Sequence, residues 1–235
     1  DHIRQPYWYG EGGDFDPDEF GIIAAQDLER AIKEHGIDNV AGFIAEPIQG
    51  AGGVIIPPDT YWKEIQKICD RYEIPLIADE VITGFGRLGE WFASTVYNIK
   101  PDLVPFAKGV TSGYLPLGGL LVSDRVAGTI IEKGGEFAHG FTYSGHPAAC
   151  AVALKNIEII KDEKILDRVK QTTAPYLEEK WTSLADHSLV GEARIKGLMG
   201  AIELTNNKEK RSRFPSEMSV GALCRDCLLY TSDAA

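Results

Sequence analysis

Apolar residues fall along this chain in two registers, short unbroken runs and stripes at helical spacing, and the two alternate. Residues 24–35 mix charge with Leu28 and Ile32 one turn apart, and Gly36 stands where such a helix would end. The apolar run 40–45 then stops at Glu46-Pro47, and its length and following proline predict a buried strand. Asp59 is placed to cap a helix over 60–73, with Tyr61, Ile65, Ile68 and Tyr72 on one face. Runs 74–78, 103–107 and 119–122 repeat the buried-strand pattern and stop at Asp79-Glu80, Lys108-Gly109 and Ser123-Asp124. Pro147 suits the first turn of a long helix reaching about residue 161. Short buried strands alternating with helices define an α/β chain with a mostly parallel sheet flanked by helices.

Beyond about Glu163 the pattern changes. A charged helix is expected over 165–184, then a strand over 197–204 and a polar stretch over 206–213. This predicts a division into 1–163, a large domain, and 164–226, the beginning of a smaller α+β domain. Residues 221–226 read as a helix of that domain, whereas 227–235 carry neither helical nor strand periodicity and are expected to be a non-native tail. The first residue is Asp1, and residues 1–13 read as a loop from the middle of a domain, so the chain is expected to be a fragment.

Composition narrows the function. The 235 residues carry 24 Lys+Arg against 35 Asp+Glu, a net charge of −11 that repels phosphate backbones and anionic lipid. Nucleic acid and membrane are therefore not expected partners, and no apolar run approaches the ~20 residues of a membrane span. Four scattered cysteines suit a reducing cytoplasm better than a disulfide framework. The single C-x-x-C, Cys224 to Cys227, has no second pair or neighbouring histidine and is a weak zinc or redox signal. His139 and His146 read as loop histidines, and Gly50, Gly52 and Gly53 as a backbone turn.

In open α/β sheets, ligands bind at the carboxyl ends of the strands. Three expected strands end there in Glu46, Asp79 and Lys108. The apolar residues around Lys108 predict a desolvated amine, one suited to nucleophilic attack on a carbonyl. A carboxylate on the same edge can pair with a cofactor pyridinium nitrogen. Glu80 could be catalytic by position but reads as structural. A competing motif, Gly84-Phe85-Gly86-Arg87-Leu88-Gly89, matches the dinucleotide-binding pattern of a Rossmann protein. It lacks the context, because it starts five residues beyond Asp79 and opens no evident helix.

The chain resembles the class III (omega) aminotransferases of the pyridoxal-phosphate fold type I group, most closely the putrescine or polyamine–pyruvate type. Four ordered motifs carry the resemblance: Glu46-Pro47-Ile48-Gln49-Gly50, the stretch from Ala78-Asp79-Glu80 to Arg87, Ala107-Lys108-Gly109 with Gly118-Gly119, and His139 to Pro147. The resemblance implies pyridoxal 5′-phosphate as cofactor, and transfer of an amino group from a primary amine to a 2-oxo acid such as pyruvate. It assigns Lys108 to the covalent cofactor link and to proton transfer, and Asp79 to the pyridine nitrogen. Val81 would pack on the ring face, and Glu46 would be a substrate-site residue. Thr142 would reach the phosphate held by a neighbouring subunit, which implies a homodimer with shared active sites. Ile82 departs from relatives that carry glutamine there. The family's upstream phosphate loop and its downstream carboxylate-binding arginine are not in this sequence. Another class III chemistry, an aminomutase or decarboxylase, would use the same lysine and aspartate.

Overall fold

The computed structural model describes residues 1–232 and, of 229–232, the backbone alone. In chain order the elements are α1 (Trp8–Glu11), α2 (Pro17–His35), β1 (Phe43–Ala45), α3 (Tyr61–Tyr72), β2 (Leu76–Ala78) and α4 (Ala93–Val96). There follow β3 (Leu103–Phe106), β4 (Gly119–Val122), α5 (Asp124–Lys133), α6 (Pro147–Asp162), α7 (Ile165–Arg168), α8 (Ala174–Thr182), β5 (Val190–Lys196), β6 (Met199–Leu204) and α9 (Val220–Ser232).

Helix α2 starts at Pro17, earlier than the apolar spacing predicts. The Asp16 carboxylate accepts the Glu19 amide at 2.9 Å and Pro17 occupies the first turn, where its missing N–H costs nothing. Gly36, at φ +81°, ends the helix as expected. Helix α3 lacks the expected Asp59 cap: no side chain caps it, and the Thr60 hydroxyl donates instead to the Asp18 carbonyl at 2.7 Å. That bond ties α3 to α2, and Gly21 permits the approach, because a Cβ there would stand 2.3 Å from the Thr60 Oγ1. Between the helices and the sheet lies the core: Phe20, Leu28 and Ile32 meet Tyr61, Trp62, Ile65 and Ile68 above Leu76 and Ala78. Trp62 is buried with its indole N–H donating to the Pro47 carbonyl at 3.1 Å, so its own polar group is paired on burial.

The sheet runs β1-β2-β3-β4. Strands β1, β2 and β3 are parallel, with Phe43 opposite Leu76 and Ile77 opposite Leu103, and β4 joins β3 antiparallel. The mostly parallel sheet is thus the one expected, but its ends differ from a buried-strand reading. Strand β1 is an edge with Ile44 60% exposed, and β4 is exposed along its whole length. Helix α5, absent from the apolar pattern, contains no buried residue.

The remainder builds a second, two-stranded unit. Helices α7 and α8 are joined by a wide π turn over Val169–Thr173, just before Pro175, which has no N–H to continue the i→i−4 ladder. Strands β5 and β6 form an antiparallel hairpin, of which the sequence pattern showed only the second strand. Helix α9 runs through to Ser232, so residues 227–232 are helical where no periodicity was expected; the rest of the expected tail, 233–235, lies outside the described residues.

Candidate active site

Because β1, β2 and β3 are parallel, their carboxyl ends share one edge. Glu46 directly follows β1, Asp79 directly follows β2, and Lys108 stands two residues past β3. Backbone bonds fix these ends to one another: the Asp79 amide donates to the Ala45 carbonyl at 2.9 Å, and the Glu80 amide to the Pro105 carbonyl at 3.0 Å. The topology therefore brings the three expected side chains to a common edge.

Asp79 is half-buried, and its Oδ1 accepts the Val81 amide at 3.0 Å. Its Oδ2 accepts no hydrogen bond among the described residues. A half-buried carboxylate with one oxygen committed locally and the other open fits an incoming N–H⁺ donor such as a pyridinium.

Lys108 holds φ +44°, a left-handed conformation costly for a residue with a Cβ, at the first position of a short 3₁₀ turn, Lys108–Thr111. Its side chain is exposed and makes no hydrogen bond or ion pair among the described residues. This corrects the expected desolvated amine. Val110 is buried and Gly109 is tightly fitted, since a Cβ there would stand 3.0 Å from the Phe85 Cβ and 3.3 Å from the Gly84 carbonyl. The tight, apolar packing is that of the backbone turn, while the amine projects away from it.

Glu46 is half-buried and its Oε2 accepts the Gly50 amide at 2.9 Å. With Asp79 and Gln49 it lines a cavity of about 700 Å³ that follows the open edge of β1 towards His2 and His35 and does not include Lys108. Val81 is half-buried beside Asp79. Thr142 is not brought to this edge: it sits in an exposed turn where the Ser144 amide donates to the Phe141 carbonyl, and its hydroxyl has no partner among the described residues.

The glycine-rich stretch is a turn system and not a strand-to-helix phosphate loop. Strand β2 has ended at Ala78, the next helix starts only at Ala93, and Phe85, Gly86 and Gly89 all take positive φ. Gly86 and Gly89 lie against Leu166 and Lys170, where Cβ atoms would stand about 3.0 Å from those side chains. The glycines serve close packing, which removes the dinucleotide reading.

Sequence reasoning passed over Arg194. Its guanidinium donates to the Gly53 carbonyl at 2.6 Å and the Val54 carbonyl at 2.9 Å, and pairs with Glu192 at 2.7 Å. It thus ties the β5–β6 hairpin to the turn that begins at Gly50, the residue bonded to Glu46. Burial raises the Glu192 carboxyl above its ordinary value, with Arg194 acting against the rise. Tyr7 joins this cluster by donating to Glu203 at 2.6 Å, and burial followed by that bond pushes its phenol up to about 12.

A glutamate, an aspartate and a lysine follow β1, β2 and β3 in turn, at one edge of a mostly parallel sheet flanked by helices, the architecture of the fold type I pyridoxal-phosphate transaminases. Residues 17–228 match the aminotransferase class-III family, and the chain belongs to it. It is 61% identical over 225 residues to the putrescine–pyruvate aminotransferase of Pseudomonas aeruginosa, a match covering 96% of this chain and 49% of that protein. It is 49% identical over 208 residues to gamma aminobutyrate transaminase 1, mitochondrial, of Solanum lycopersicum, covering 87% of this chain and 40% of that protein. The thermostable (S)-enantioselective omega-transaminase of Thermomicrobium roseum superposes with a TM-score of 0.87 at 46% identity, over 93% of this chain and 48% of that one. The omega-transferase of Vibrio fluvialis superposes with a TM-score of 0.87 at 38% identity, over 94% of this chain and 53% of that one. The chain thus spans about half the length of the curated relatives it matches. Class III aminotransferases are pyridoxal 5′-phosphate enzymes.

Proposed function

We propose that this chain carries the lysine-bearing edge of an aminotransferase that moves an amino group from a primary amine, including a diamine such as putrescine, to a 2-oxo acid such as pyruvate. One observation carries the reading: Glu46, Asp79 and Lys108 follow the carboxyl ends of the parallel strands β1, β2 and β3, in a chain 61% identical to a putrescine–pyruvate aminotransferase. Lys108 would hold the cofactor covalently and, once displaced by substrate amine, move the proton at the substrate carbon. Asp79 would keep the pyridine nitrogen protonated through Oδ2, with Oδ1 fixed by the Val81 amide. Val81 would support the ring face, and Glu46 would face the substrate. When bound, the cofactor supplies the electron sink for the carbanionic charge. The division into a large domain over 1–163 and a small one over 164–226 belongs to the same reading.

The test is product analysis with the complete reading frame that carries this chain. Incubated with putrescine and pyruvate, it is expected to yield alanine in step with loss of the diamine's amino group. Carbon dioxide release, or a rearranged amine without pyruvate consumption, would instead identify a decarboxylase or an aminomutase.

A homodimer with shared sites is part of the proposal. Its support is the exposure of the stretch 134–147 and of residues before it. Tyr114, Phe137, Phe141 and Tyr143 are all exposed, together with β4 and every residue from 134 to 147. Within that stretch the rings of Phe137 and Phe141 each lie against that of His139, and an exposed aromatic cluster marks a surface for a partner. A Lys108→Ala subunit mixed with a Thr142→Ala subunit is expected to regain activity above either homodimer, since one of the two heterodimer sites then receives neither lesion. No gain on mixing, with heterodimers confirmed by mass spectrometry, would show that each site is self-contained.

Cytoplasmic residence completes the reading, supported by the free thiols of Cys69, Cys150 and Cys224. No helix among the described residues is long and apolar enough to cross a membrane.

A further inference from the structure

Glu80 is fully buried and, among the described residues, pairs with no cation. Its carboxylate is instead saturated by four donors. Oε1 accepts the Ser94 amide at 2.6 Å and the Ser94 hydroxyl at 2.5 Å; Oε2 accepts the Ala93 amide at 2.9 Å and the Thr83 hydroxyl at 2.5 Å. One side chain therefore closes the loop from Thr83 to Ala93 back onto the end of β2. Its own backbone performs a second junction: the Glu80 amide donates to Pro105 of β3, and the Glu80 carbonyl accepts the Gly84 amide at 2.9 Å.

The closed loop bears on both site residues. Asp79 shares a peptide bond with Glu80, and its Oδ1 is held by the next amide, Val81. On the other side, Phe85 packs edge-on against Phe92 and Phe106, with ring centroids 5.5 and 5.6 Å apart. Phe85 also fills the space beside Gly109, where no Cβ would fit without displacement, and Gly109 follows Lys108 in the chain. Displacing Phe85 would let the Lys108 turn shift.

We propose that Glu80 is a positioning residue, which through the Ala93–Ser94 bonds sets the orientation of the Asp79 carboxylate and the place of the Lys108 turn. This inference rests on the roles given above to Asp79 and Lys108. Only a carboxylate of this length meets the demand. Each oxygen faces one backbone N–H that cannot reverse, whereas hydroxyls can turn to accept. A glutamine in either orientation puts its NH2 against one of those N–H groups, leaving a buried donor unsatisfied. Aspartate is one methylene too short to reach both amides from the same backbone.

The experiment uses the complete reading frame, with Glu80→Gln compared against Ile68→Ala. The latter truncates a fully buried side chain of α3 and touches none of the Glu80 bonds. Without cofactor, amide hydrogen exchange at Val81 reads the Asp79 bond directly. Glu80→Gln is expected to speed it about tenfold beyond any change in Ile68→Ala, the signature of local opening. With cofactor added, the pH midpoint of its visible absorbance is expected to move by about half a unit or more in Glu80→Gln only. The kcat is expected to fall about 10- to 100-fold with a smaller change in KM, as misplacement of reacting groups predicts. If Glu80→Gln does not fold, Ser94→Ala and Thr83→Val each delete one hydroxyl donor and are expected to shift the same readouts in the same direction by less. Glu80→Gln behaving as Ile68→Ala, or the two hydroxyl variants leaving Val81 exchange and the midpoint unmoved, would overturn the proposal. If the unaltered protein took no cofactor on Lys108, the functional reading would fall, while exchange at Val81 would still decide the link from Glu80 to Asp79.

Discussion

Lys108→Ala is expected to remove amino transfer, lowering kcat by about 10⁴-fold or more, the upper range for a positioned acid–base group, because on the proposed reading the same side chain would also anchor the cofactor. The fold should survive. The Lys108 side chain is exposed and has no hydrogen-bond or ion-pair partner among the described residues, so its removal leaves no cavity and no orphaned group. Its φ of +44° is imposed by the turn, and alanine would bear the same strain as lysine, leaving the thermal midpoint little changed. Borohydride reduction of the cofactor-loaded protein, followed by peptide mapping, should place the adduct on Lys108 and find none in the variant. An adduct on another lysine, or a variant within about tenfold of the parent kcat, would contradict the assignment.

The exposure of that lysine also shows where reading the sequence stopped short. Pro105, Phe106 and Val110 are its neighbours along the chain, and apolar neighbours in sequence were read as apolar neighbours in space. The structure separates the two: Val110 and Gly109 turn into the packed side, while the amine projects outward. What the sequence did show was the sharing of one edge, because that follows from strand direction alone. Each of Glu46, Asp79 and Lys108 closes an apolar run, and parallel strands must then place all three together. The start of α2 was written locally in Asp16-Pro17, yet apolar spacing, which begins later, outweighed it. Helix α5 buries nothing among the described residues, so its apolar positions had no packed face to report.

Arg194 was beyond reach for a different reason, and of Glu80, which read as structural, the sequence left the partners unnamed. Arg194 acts on carbonyls about 140 residues earlier in the chain, and Glu80 on amides 13 and 14 residues later. Their partners include backbone atoms, which every residue type presents alike, so no side-chain pattern announces those contacts. The closed geometry names what stands behind the structural reading of Glu80: the Ala93 and Ser94 amides and the Thr83 and Ser94 hydroxyls.

Asp79→Asn is expected to lower kcat by about 10²- to 10³-fold, the scale seen when one donor or acceptor aimed at developing charge is lost. The substitution is nearly isosteric, and the local structure gives it a defined orientation. The Val81 amide, 3.0 Å from Oδ1, requires an acceptor there, so the asparagine carbonyl takes that place and its NH2 occupies the position of Oδ2. A donor then faces the ring nitrogen in place of a carboxylate. On the proposed reading the ring nitrogen would lose the partner that keeps it protonated, and the cofactor would supply a weaker electron sink. The loss belongs to the stage at which carbanionic charge develops, so kcat should fall much more than KM rises, and cofactor affinity should change little. Protein stability should hardly respond, because the one side-chain hydrogen bond of Asp79 among the described residues is retained. Asp79→Ala tests the orientation argument. It also removes the acceptor of the Val81 amide, and is expected to speed exchange at that amide, which Asp79→Asn should leave protected. A variant Asp79→Asn with kcat within a few-fold of the parent, or with the loss confined to KM, would show that Asp79 does not hold the proton of the ring nitrogen.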